Sequence, residues 1–219
     1  MSQTKCVIFD CDGVLVDTEK TALKALHECL QELNIHVCYD EMYQLGKGAN
    51  LNILLETICG NHGVPLPEGF IAHFRKHLNN SLAKGVEPID GVKELVMSLQ
   101  LPFAVASNGP QDKMKQTLGL SGLWSYFEGN IFSAYDINAW KPEPDLYLYA
   151  AKTLGFSADE ALVVEDSVYG VIAAKKAGME VIGLALDDDG EELLEKGAKV
   201  FHSMRDIHQY FEKADFCRG

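Results

Sequence analysis

Short apolar runs recur along this chain and are separated by polar segments and glycines. Six of them have the length and character of strands. They lie at 5–10, 103–107, 131–133, 161–165, 180–184 and, as an edge strand, 199–201. Helical patterns separate most of them, for example at 91–99, 112–118, 144–154 and 168–177. Strands that alternate with helices predict an α/β fold with a Rossmann-like parallel sheet.

One interval breaks this alternation, because no convincing strand pattern occurs between Asp17 and about Pro88. The apolar positions of this interval recur at helical spacing instead. They predict helices at 18–33, 51–59 and 68–84. We therefore expect an inserted all-helical cap domain at 17–87, and an α/β core domain formed by residues 1–16 and 88–219.

The bulk properties are those of a globular protein, with 219 residues of which 47% are apolar. No run approaches the ~18 apolar residues of a transmembrane helix, and the N-terminal residues show no signal-peptide pattern. Six cysteines are scattered without a Cys-x-x-Cys pair, which favours reduced thiols over a disulfide framework or a zinc site. We expect a cytoplasmic protein without a membrane partner, as a monomer or weak dimer.

The net charge of −13 argues against a nucleic-acid partner, because duplex binding relies on basic surface. A small anionic substrate is compatible with this charge if the site is locally positive through a metal ion, a few lysines or oriented amides. The acidic run at 187–189 is interpreted as a solvated loop and helix start, where acids are favourable.

Two carboxylates, Asp10 and Asp12, follow directly on the first predicted strand. Burying charge without a partner costs several kcal/mol or more, so these acids do not serve to stabilise a core. Gly13 follows them and lets the backbone turn sharply beside a ligand. The pattern indicates either a bound cation or chemistry that needs paired acids.

Other predicted strands also end in polar residues. In open α/β sheets, ligands bind beyond the carboxyl ends of the strands. Carboxylates from two strands could hold Mg²⁺, which prefers oxygen ligands, while hydroxyl, amide and ammonium groups could hold a phosphoryl group. The candidates are Ser107, Asn108, Lys141, Glu165 and Asp166. Taken alone, the serine and asparagine could equally form a turn, and the lysine could be a solvated loop residue.

Four motifs occur in a fixed order along the chain: Asp-x-Asp-Gly-x-x-x-Asp at 10–17, Ser-Asn at 107–108, Lys-Pro at 141–142 and Glu-Asp-Ser-x-x-Gly at 165–170. In these motifs and their order the sequence resembles the haloacid dehalogenase-like hydrolase superfamily. The resemblance spans nearly the whole chain. The helical interval after the first motif is similar to the cap of the β-phosphoglucomutase-like subgroup.

This resemblance implies a role for each motif residue. Asp10 would be the nucleophile that forms an aspartyl phosphate, and Asp12 the general acid and then the general base. The residues implied for Mg²⁺ are Asp10, the backbone carbonyl of Asp12, Asp166 and, directly or through water, Glu165. Those implied for the phosphoryl group are Ser107, Asn108 and Lys141.

Three positions, Asp12, Ala22 and Leu51, narrow the choice of reaction. A halide leaves without a proton whereas an alkoxide needs one, so Asp12 favours phosphoryl transfer over dehalogenation. β-Phosphoglucomutase has a histidine where this chain has Ala22, and an arginine three residues after the glycine that matches Gly48, where this chain has Leu51. We therefore expect hydrolysis, with a sugar phosphomutase as the alternative and a non-catalytic phosphate-binding protein as a third possibility.

The substrate class rests on a finer resemblance. The stretches 107–114 and 135–142 look most like those of bacterial phosphatases of this superfamily that act on 6-phosphogluconate. This implies a small sugar phosphate or sugar-acid phosphate as the partner. The candidate specificity residues are Lys47, Asn50, Lys20 and Trp140. His73 and His77, four apart on a predicted cap helix, are interpreted as a solvated face, since no acidic partner is evident in the sequence.

Overall fold

The computed structural model describes residues 4–46 and 51–217. Its six strands are β1 (Cys6–Phe9), β2 (Phe103–Ser107), β3 (Ile131–Ser133), β4 (Ala161–Glu165), β5 (Glu180–Leu184) and β6 (Lys199–Phe201). They pair in parallel in the order β3-β2-β1-β4-β5-β6. Every predicted strand is present, and the α/β fold class is confirmed.

The central strand β1 is buried on both faces. Val7 and Phe9 pack into one hydrophobic layer, and Cys6 and Ile8 pack into the other. All four side chains are fully buried. Because helices cover both faces of a parallel sheet, its strands are continuous apolar runs rather than alternating ones. This explains why short uninterrupted apolar runs were a sufficient signal for the strands.

Helices and the loops that connect them make up the rest of the described chain. Those between β1 and β2 are α1 (Glu19–Glu32), α2 (Tyr39–Gly46), α3 (Leu51–His62), α4 (Phe70–Leu82) and α5 (Val92–Ser98). Those after β2 are α6 (Gln111–Leu120), α7 (Trp124–Phe127), α8 (Ala134–Ile137), α9 (Asp145–Leu154), α10 (Val168–Lys176), α11 (Glu191–Glu195) and α12 (Met204–Lys213), with a 3₁₀ turn at Ala158–Glu160. Among the described residues, none of the helices is long and apolar enough to cross a membrane.

The sequence pattern predicted no helix at α2, α7, α8 or α12, although α12 carries clear local signals. Ser203 caps it by accepting a hydrogen bond from the backbone N–H of Asp206 at 3.1 Å. Met204, Ile207 and Phe211 are its buried side chains, at helical spacing on one face. A capping serine before such a stripe is the signature of a helix start, and it would have identified this element.

The helices α1 and α4 pack side by side and are joined by two contacts between a histidine and a glutamate. His73 Nε2 lies 2.8 Å from Glu32 Oε2, and His77 Nε2 lies 2.7 Å from Glu28 Oε2. His73 is exposed and His77 partly exposed, as predicted for a solvated face, but each has an acidic partner on α1 that the sequence did not reveal. Two residues four apart share one helix face, so the histidine pair of α4 matches the glutamate pair of α1.

The chain leaves β1 for the inserted helices through residues 15–17 and returns from them to α5 through residues 87–89. These two segments run side by side. Val16 forms an antiparallel bridge with Pro88. The backbone N–H of Asp17 donates to Glu87 O at 3.1 Å, and that of Ile89 donates to Leu15 O at 3.0 Å. The predicted domain boundaries fall at this paired segment, and the division into two domains stays a prediction.

Candidate active site

The site lies where the order of the strands reverses. From β1 the chain continues to β2 and β3 on one side, and then returns to β4 on the other side of β1. The backbone N–H of Asp10 donates to Val164 O at 2.9 Å, which extends the ladder past the end of β1. Asp10, Ser107 and Glu165 thus stand at the carboxyl ends of three adjacent strands, which is where ligands bind in such sheets.

Lys141 lies at the centre of this group. Its ammonium contacts Asp10 Oδ1 and lies 2.6 Å from Glu165 Oε1. The same nitrogen lies 4.8 Å from the centre of the Tyr147 ring. The Lys141 side chain is only 3% exposed. A cation this deeply buried is tolerated because two carboxylates and a ring face replace its hydration.

Burial and the attraction between opposite charges shift the pKa values of these groups in opposite directions. Burial raises the pKa of Asp10 to about 7, and it does so against the attraction of Lys141. Burial alone would also raise the pKa of Glu165, but Lys141 and the hydrogen bonds from Ser167 outweigh it and hold that pKa below its ordinary value. Although burial opposes its charge, the pKa of Lys141 is raised because Asp10 and Glu165 face it. The lysine therefore stays charged.

The carboxylate of Glu165 is held from several directions. The hydroxyl of Tyr147 donates to Oε1 at 2.9 Å, and both the backbone N–H and the hydroxyl of Ser167 donate to Oε2 at 2.8 Å. Ser167 also caps α10 by accepting from the backbone N–H of Gly170 at 3.1 Å. Glu165 therefore acts in this structure as an anchor for Lys141.

Asp166 lies against the turn that follows the first carboxylates. A Cβ built on Gly13 would lie 2.1 Å from Asp166 Oδ2. Gly13 also has φ of +80°, in the left-handed region that favours glycine. The glycine predicted to allow a close approach thus brings Asp166 next to the loop that carries Asp12.

Asp12 is held through both of its carboxylate oxygens. The ammonium of Lys113 donates to Oδ2 at 2.7 Å, and the hydroxyl of Thr18 donates to Oδ1. Burial would raise the pKa of Asp12, but the charge and hydrogen bond of Lys113, with Thr18, lower it below its ordinary value. Sequence reasoning assigned no role to Lys113 or Thr18.

A local signal for Lys113 existed in the sequence. Pro110 precedes α6, so Lys113 falls in the first turn of that helix. The Cα–Cβ bonds of a helix tilt toward its N-terminus, which directs this side chain back toward the end of β2. The helix dipole opposes a cation in the first turn, so this lysine is a candidate for pairing with an anion near the end of β2.

The two predicted phosphate-binding residues of β2 differ in what they contact. Ser107 is buried, and its Oγ accepts a hydrogen bond from the backbone N–H of Gly109 at 3.0 Å. The side chain of Asn108 pairs with the backbone of Lys141: its Oδ1 accepts from the N–H at 2.9 Å, and its Nδ2 donates to the carbonyl at 3.4 Å. Asn108 therefore fixes the loop that carries Lys141.

A cavity of about 400 Å³ opens above these groups. Its base is formed by Asp10, Asp12, Ser107 and Lys141, while the inserted helices provide a largely apolar wall. That wall includes Ala22, Leu23, Leu26, Leu54, Phe74 and Leu78. Ala22, the position at which the phosphomutase has a histidine, thus faces the same cavity as the two catalytic candidates.

The four predicted specificity residues fall in different places. Lys47 and Asn50 lie outside the described residues. Lys20 is exposed, and its Nζ lies 3.6 Å from Asp187 Oδ2. It lines a separate cavity of about 90 Å³. Trp140 packs edge-on against Tyr135, with ring centres 5.5 Å apart, and it is Tyr135 that lines the large cavity.

Sequence reasoning also missed two polar residues of the large cavity. Arg75 of α4 donates from Nη2 to the hydroxyl of Tyr135 at 3.0 Å. Both residues line the cavity, one from the inserted helices and one from the core. No local pattern marks either of them, because the contact joins segments 60 residues apart in the chain.

Comparison with known proteins agrees with this geometry. The profile of the haloacid dehalogenase-like hydrolases matches residues 7–184, and the chain belongs to this family. It is similar to the 6-phosphogluconate phosphatase of Escherichia coli, with 31% identity over 213 residues that cover 97% of this chain and 96% of that protein. It is also similar to a phosphorylated carbohydrates phosphatase of Thermotoga maritima, with 30% identity over 89% of this chain and 92% of that protein. The chain is a phosphatase of the haloacid dehalogenase type, a hydrolase of phosphate monoesters.

Solved structures show the same fold. A haloacid dehalogenase-like protein of Agrobacterium tumefaciens superposes with a TM-score of 0.83 at 33% identity, covering 97% of this chain and 99% of that one. A putative β-phosphoglucomutase of Bacteroides vulgatus superposes with a TM-score of 0.79 at 26% identity, covering 97% and 89%. A structure named as a putative mutase thus has this fold, so the fold by itself does not separate hydrolysis from isomerisation.

Proposed function

We propose that this protein hydrolyses a small sugar phosphate or sugar-acid phosphate through an aspartyl-phosphate intermediate, with Mg²⁺ as cofactor. The observation that carries the proposal is the meeting of Asp10, Lys141 and Ser107 at the base of a cavity that also holds a second, separately anchored carboxylate, Asp12. Paired acids in different surroundings suit two different roles in one reaction.

The first half of the reaction is phosphoryl transfer to the protein. A carboxylate oxygen of Asp10 attacks phosphorus, the bond from phosphorus to the ester oxygen breaks, and Asp12 gives a proton to the leaving oxygen. Asp12 must carry that proton although Lys113 and Thr18 favour its ionised form. The negative charge of a phosphoryl group bound beside it opposes that preference, since a neighbouring like charge raises a carboxyl pKa.

The second half is hydrolysis of the aspartyl phosphate. Asp12, now ionised, accepts a proton from a water molecule that attacks phosphorus, which releases inorganic phosphate and restores Asp10. Lys141 and the hydroxyl of Ser107 hold the phosphoryl oxygens. Asn108 contributes by fixing the backbone of Lys141, and Glu165 by anchoring its ammonium.

The residues present fit Mg²⁺ by the chemistry of their donors. In the described part of the chain no three His, Cys, Asp or Glu side chains form a metal cluster on their own. Mg²⁺ keeps several waters, so the carboxylates of Asp10 and Asp166 and the backbone carbonyl of Asp12 would suffice as protein ligands. Glu165 belongs to the second layer of such a site. When bound, the ion neutralises charge on the phosphoryl oxygens and favours ionised Asp10.

Hydrolysis is favoured over isomerisation by the cavity wall. A mutase has to retain a bisphosphorylated intermediate and keep water away from the aspartyl phosphate. Ala22 gives the wall a methyl group at the position where the mutase has a histidine. The relatives named as phosphatases support the same choice.

Turnover assays test this proposal. We expect p-nitrophenyl phosphate to be hydrolysed with Mg²⁺ and not after chelation, and a panel of sugar and sugar-acid phosphates, 6-phosphogluconate included, to contain better substrates. No turnover on any of them would overturn the proposal in favour of a phosphate-binding protein. Isomerisation of a hexose 1-phosphate faster than phosphate release, in the presence of a bisphosphate activator, would establish the mutase instead.

A further inference from the structure

We infer that Lys113 is a positioning residue for the leaving-group step: it holds the carboxylate of Asp12 in the orientation that delivers a proton to the ester oxygen. This inference rests on the proposed function and adds a residue that lies outside the four sequence motifs. Lys113 acts through Asp12, without bonding to phosphorus or to the nucleophile.

The contacts of Asp12 are the first ground for this role. A carboxylate at the end of a short side chain rotates freely about its last bond unless both of its oxygens are held. Here Thr18 donates to Oδ1, and Lys113 donates to Oδ2 at 2.7 Å. The two donors belong to different elements, since Thr18 immediately precedes α1 and Lys113 lies in α6. Removing Lys113 leaves Oδ2 free to turn.

The location of Lys113 is the second ground. A cation in the first turn of a helix is opposed by the helix dipole, and its side chain is only 19% exposed, so its ammonium has lost much of its hydration. Both effects disfavour a lysine here unless a fixed anion nearby stabilises its charge, as Asp12 does. Lys115, two residues further along α6, is exposed and meets neither condition.

The path of the side chain is the third ground. Gly109 lies beside it: a Cβ at that residue would be 3.7 Å from Lys113 Cδ, 3.4 Å from Ser107 Oγ and 4.0 Å from Asp12 Oδ2. The lysine stem therefore runs along the turn that follows β2, next to the phosphate-binding serine. Its ammonium reaches Asp12 within the cavity in which the ester would lie.

Leaving groups of different basicity separate this role from a structural one. An aryl phosphate such as p-nitrophenyl phosphate loses its leaving group without a proton, whereas an alkyl phosphate needs one. The ratio kcat/KM reports the steps up to departure of the leaving group, and so excludes the later hydrolysis. We compare wild type, Lys113→Met and the control Lys115→Met over a series of aryl and alkyl phosphates with Mg²⁺.

Misplacement of a catalytic group by about 1 Å can cost ~10²-fold, within the ~10²–10⁴-fold contributed by general acids. For Lys113→Met we therefore expect kcat/KM to fall by ~10²-fold for alkyl phosphates and by no more than about 3-fold for p-nitrophenyl phosphate. The kcat/KM of the variant should therefore depend more steeply on the basicity of the leaving group than that of wild type. Lys115→Met should match wild type throughout.

An equal loss for all esters, no loss, or a gain with alkyl phosphates would each overturn the role of Lys113. The dependence on leaving-group basicity is obtained from ratios of kcat/KM between substrates for the same enzyme sample. It is therefore independent of the fraction of folded enzyme and remains decisive for a variant that folds poorly. Failure of the proposed function would look different, because wild type itself would then turn over none of the esters, or would isomerise a hexose 1-phosphate faster than it releases phosphate.

Discussion

The carboxylate of Glu165 occupies the space in which a side chain of residue 170 would begin. A Cβ built on Gly170 would lie 1.7 Å from Glu165 Oε1 and 2.5 Å from Oε2. The glycine of α10 thus makes room for the acid that anchors Lys141. The same side chain is tied to Tyr147 and Ser167, so it has no free direction in which to move.

Gly170→Ala should therefore lower both stability and activity. An alanine normally stabilises a helix interior by about 0.5–1 kcal/mol relative to glycine, so a loss would have to come from the displaced carboxylate. Gly119→Ala in α6 is the matched control, because nothing lies within 4 Å of its added methyl group. Urea unfolding and turnover of p-nitrophenyl phosphate check both variants. Stabilisation by both substitutions would contradict the packing described for Glu165.

Asp10→Asn should abolish turnover while leaving the protein folded. The amide keeps the shape of the carboxylate but cannot attack phosphorus and is a poorer cation ligand. The substitution also removes a negative charge that is unfavourable to bury, which is the reason that the pKa of Asp10 is raised in the wild type. Turnover and thermal unfolding provide the two measurements. Residual activity within about tenfold of wild type would rule out Asp10 as the nucleophile, since covalent catalysis contributes far more than that.

Lys141→Met should be both inactive and strongly destabilised. It leaves Asp10 and Glu165 buried without their shared cation, and breaking a buried ion pair from one side costs about 3–5 kcal/mol. The control is Lys176→Met, which removes an exposed pair with Glu143 at 2.9 Å and should cost less than about 1 kcal/mol. Denaturant midpoints give both values. Equal costs for the two substitutions would show that Lys141 is solvated.

The contact between Glu160 and Lys5, the residue that precedes β1, should contribute to stability in a pH-dependent way. Hydrogen bonds from Lys5 at 2.6 Å and from Ser157 lower its pKa to about 2 from an ordinary value of 4.5. Because the folded pKa is the lower one, this contribution is present above pH 4.5 and is lost as the pH falls toward 2. Wild type should therefore exceed Glu160→Gln in unfolding midpoint at about pH 6, by a margin that shrinks at about pH 3. A margin that grows on acidification would contradict this assignment.

Much of the architecture was present in the sequence because its signals are local. A strand buried on both faces has to be apolar throughout, so the six strands could be recognised singly, and the polar residues after them followed from the chemistry of strand ends. The gap in the alternation between β1 and α5 likewise predicted inserted helices. The same chemistry predicts that Asp10, Asp12, Ser107 and Lys141 lie together, and the structure brings them to one cavity.

Only the tertiary structure decided what these residues do to one another. Lys113 reaches Asp12 across 101 positions of the chain, and Asn108 pairs with the backbone of Lys141 across 33. Such contacts depend on the rotation of a helix about its axis and on the path of a loop, which no local pattern specifies. The sequence by itself determined the chemistry available at the strand ends. The tertiary structure then set Thr18 and Lys113 against Asp12, and Tyr147 and Ser167 against Glu165, because these partners come from separate elements that meet only when the chain is folded.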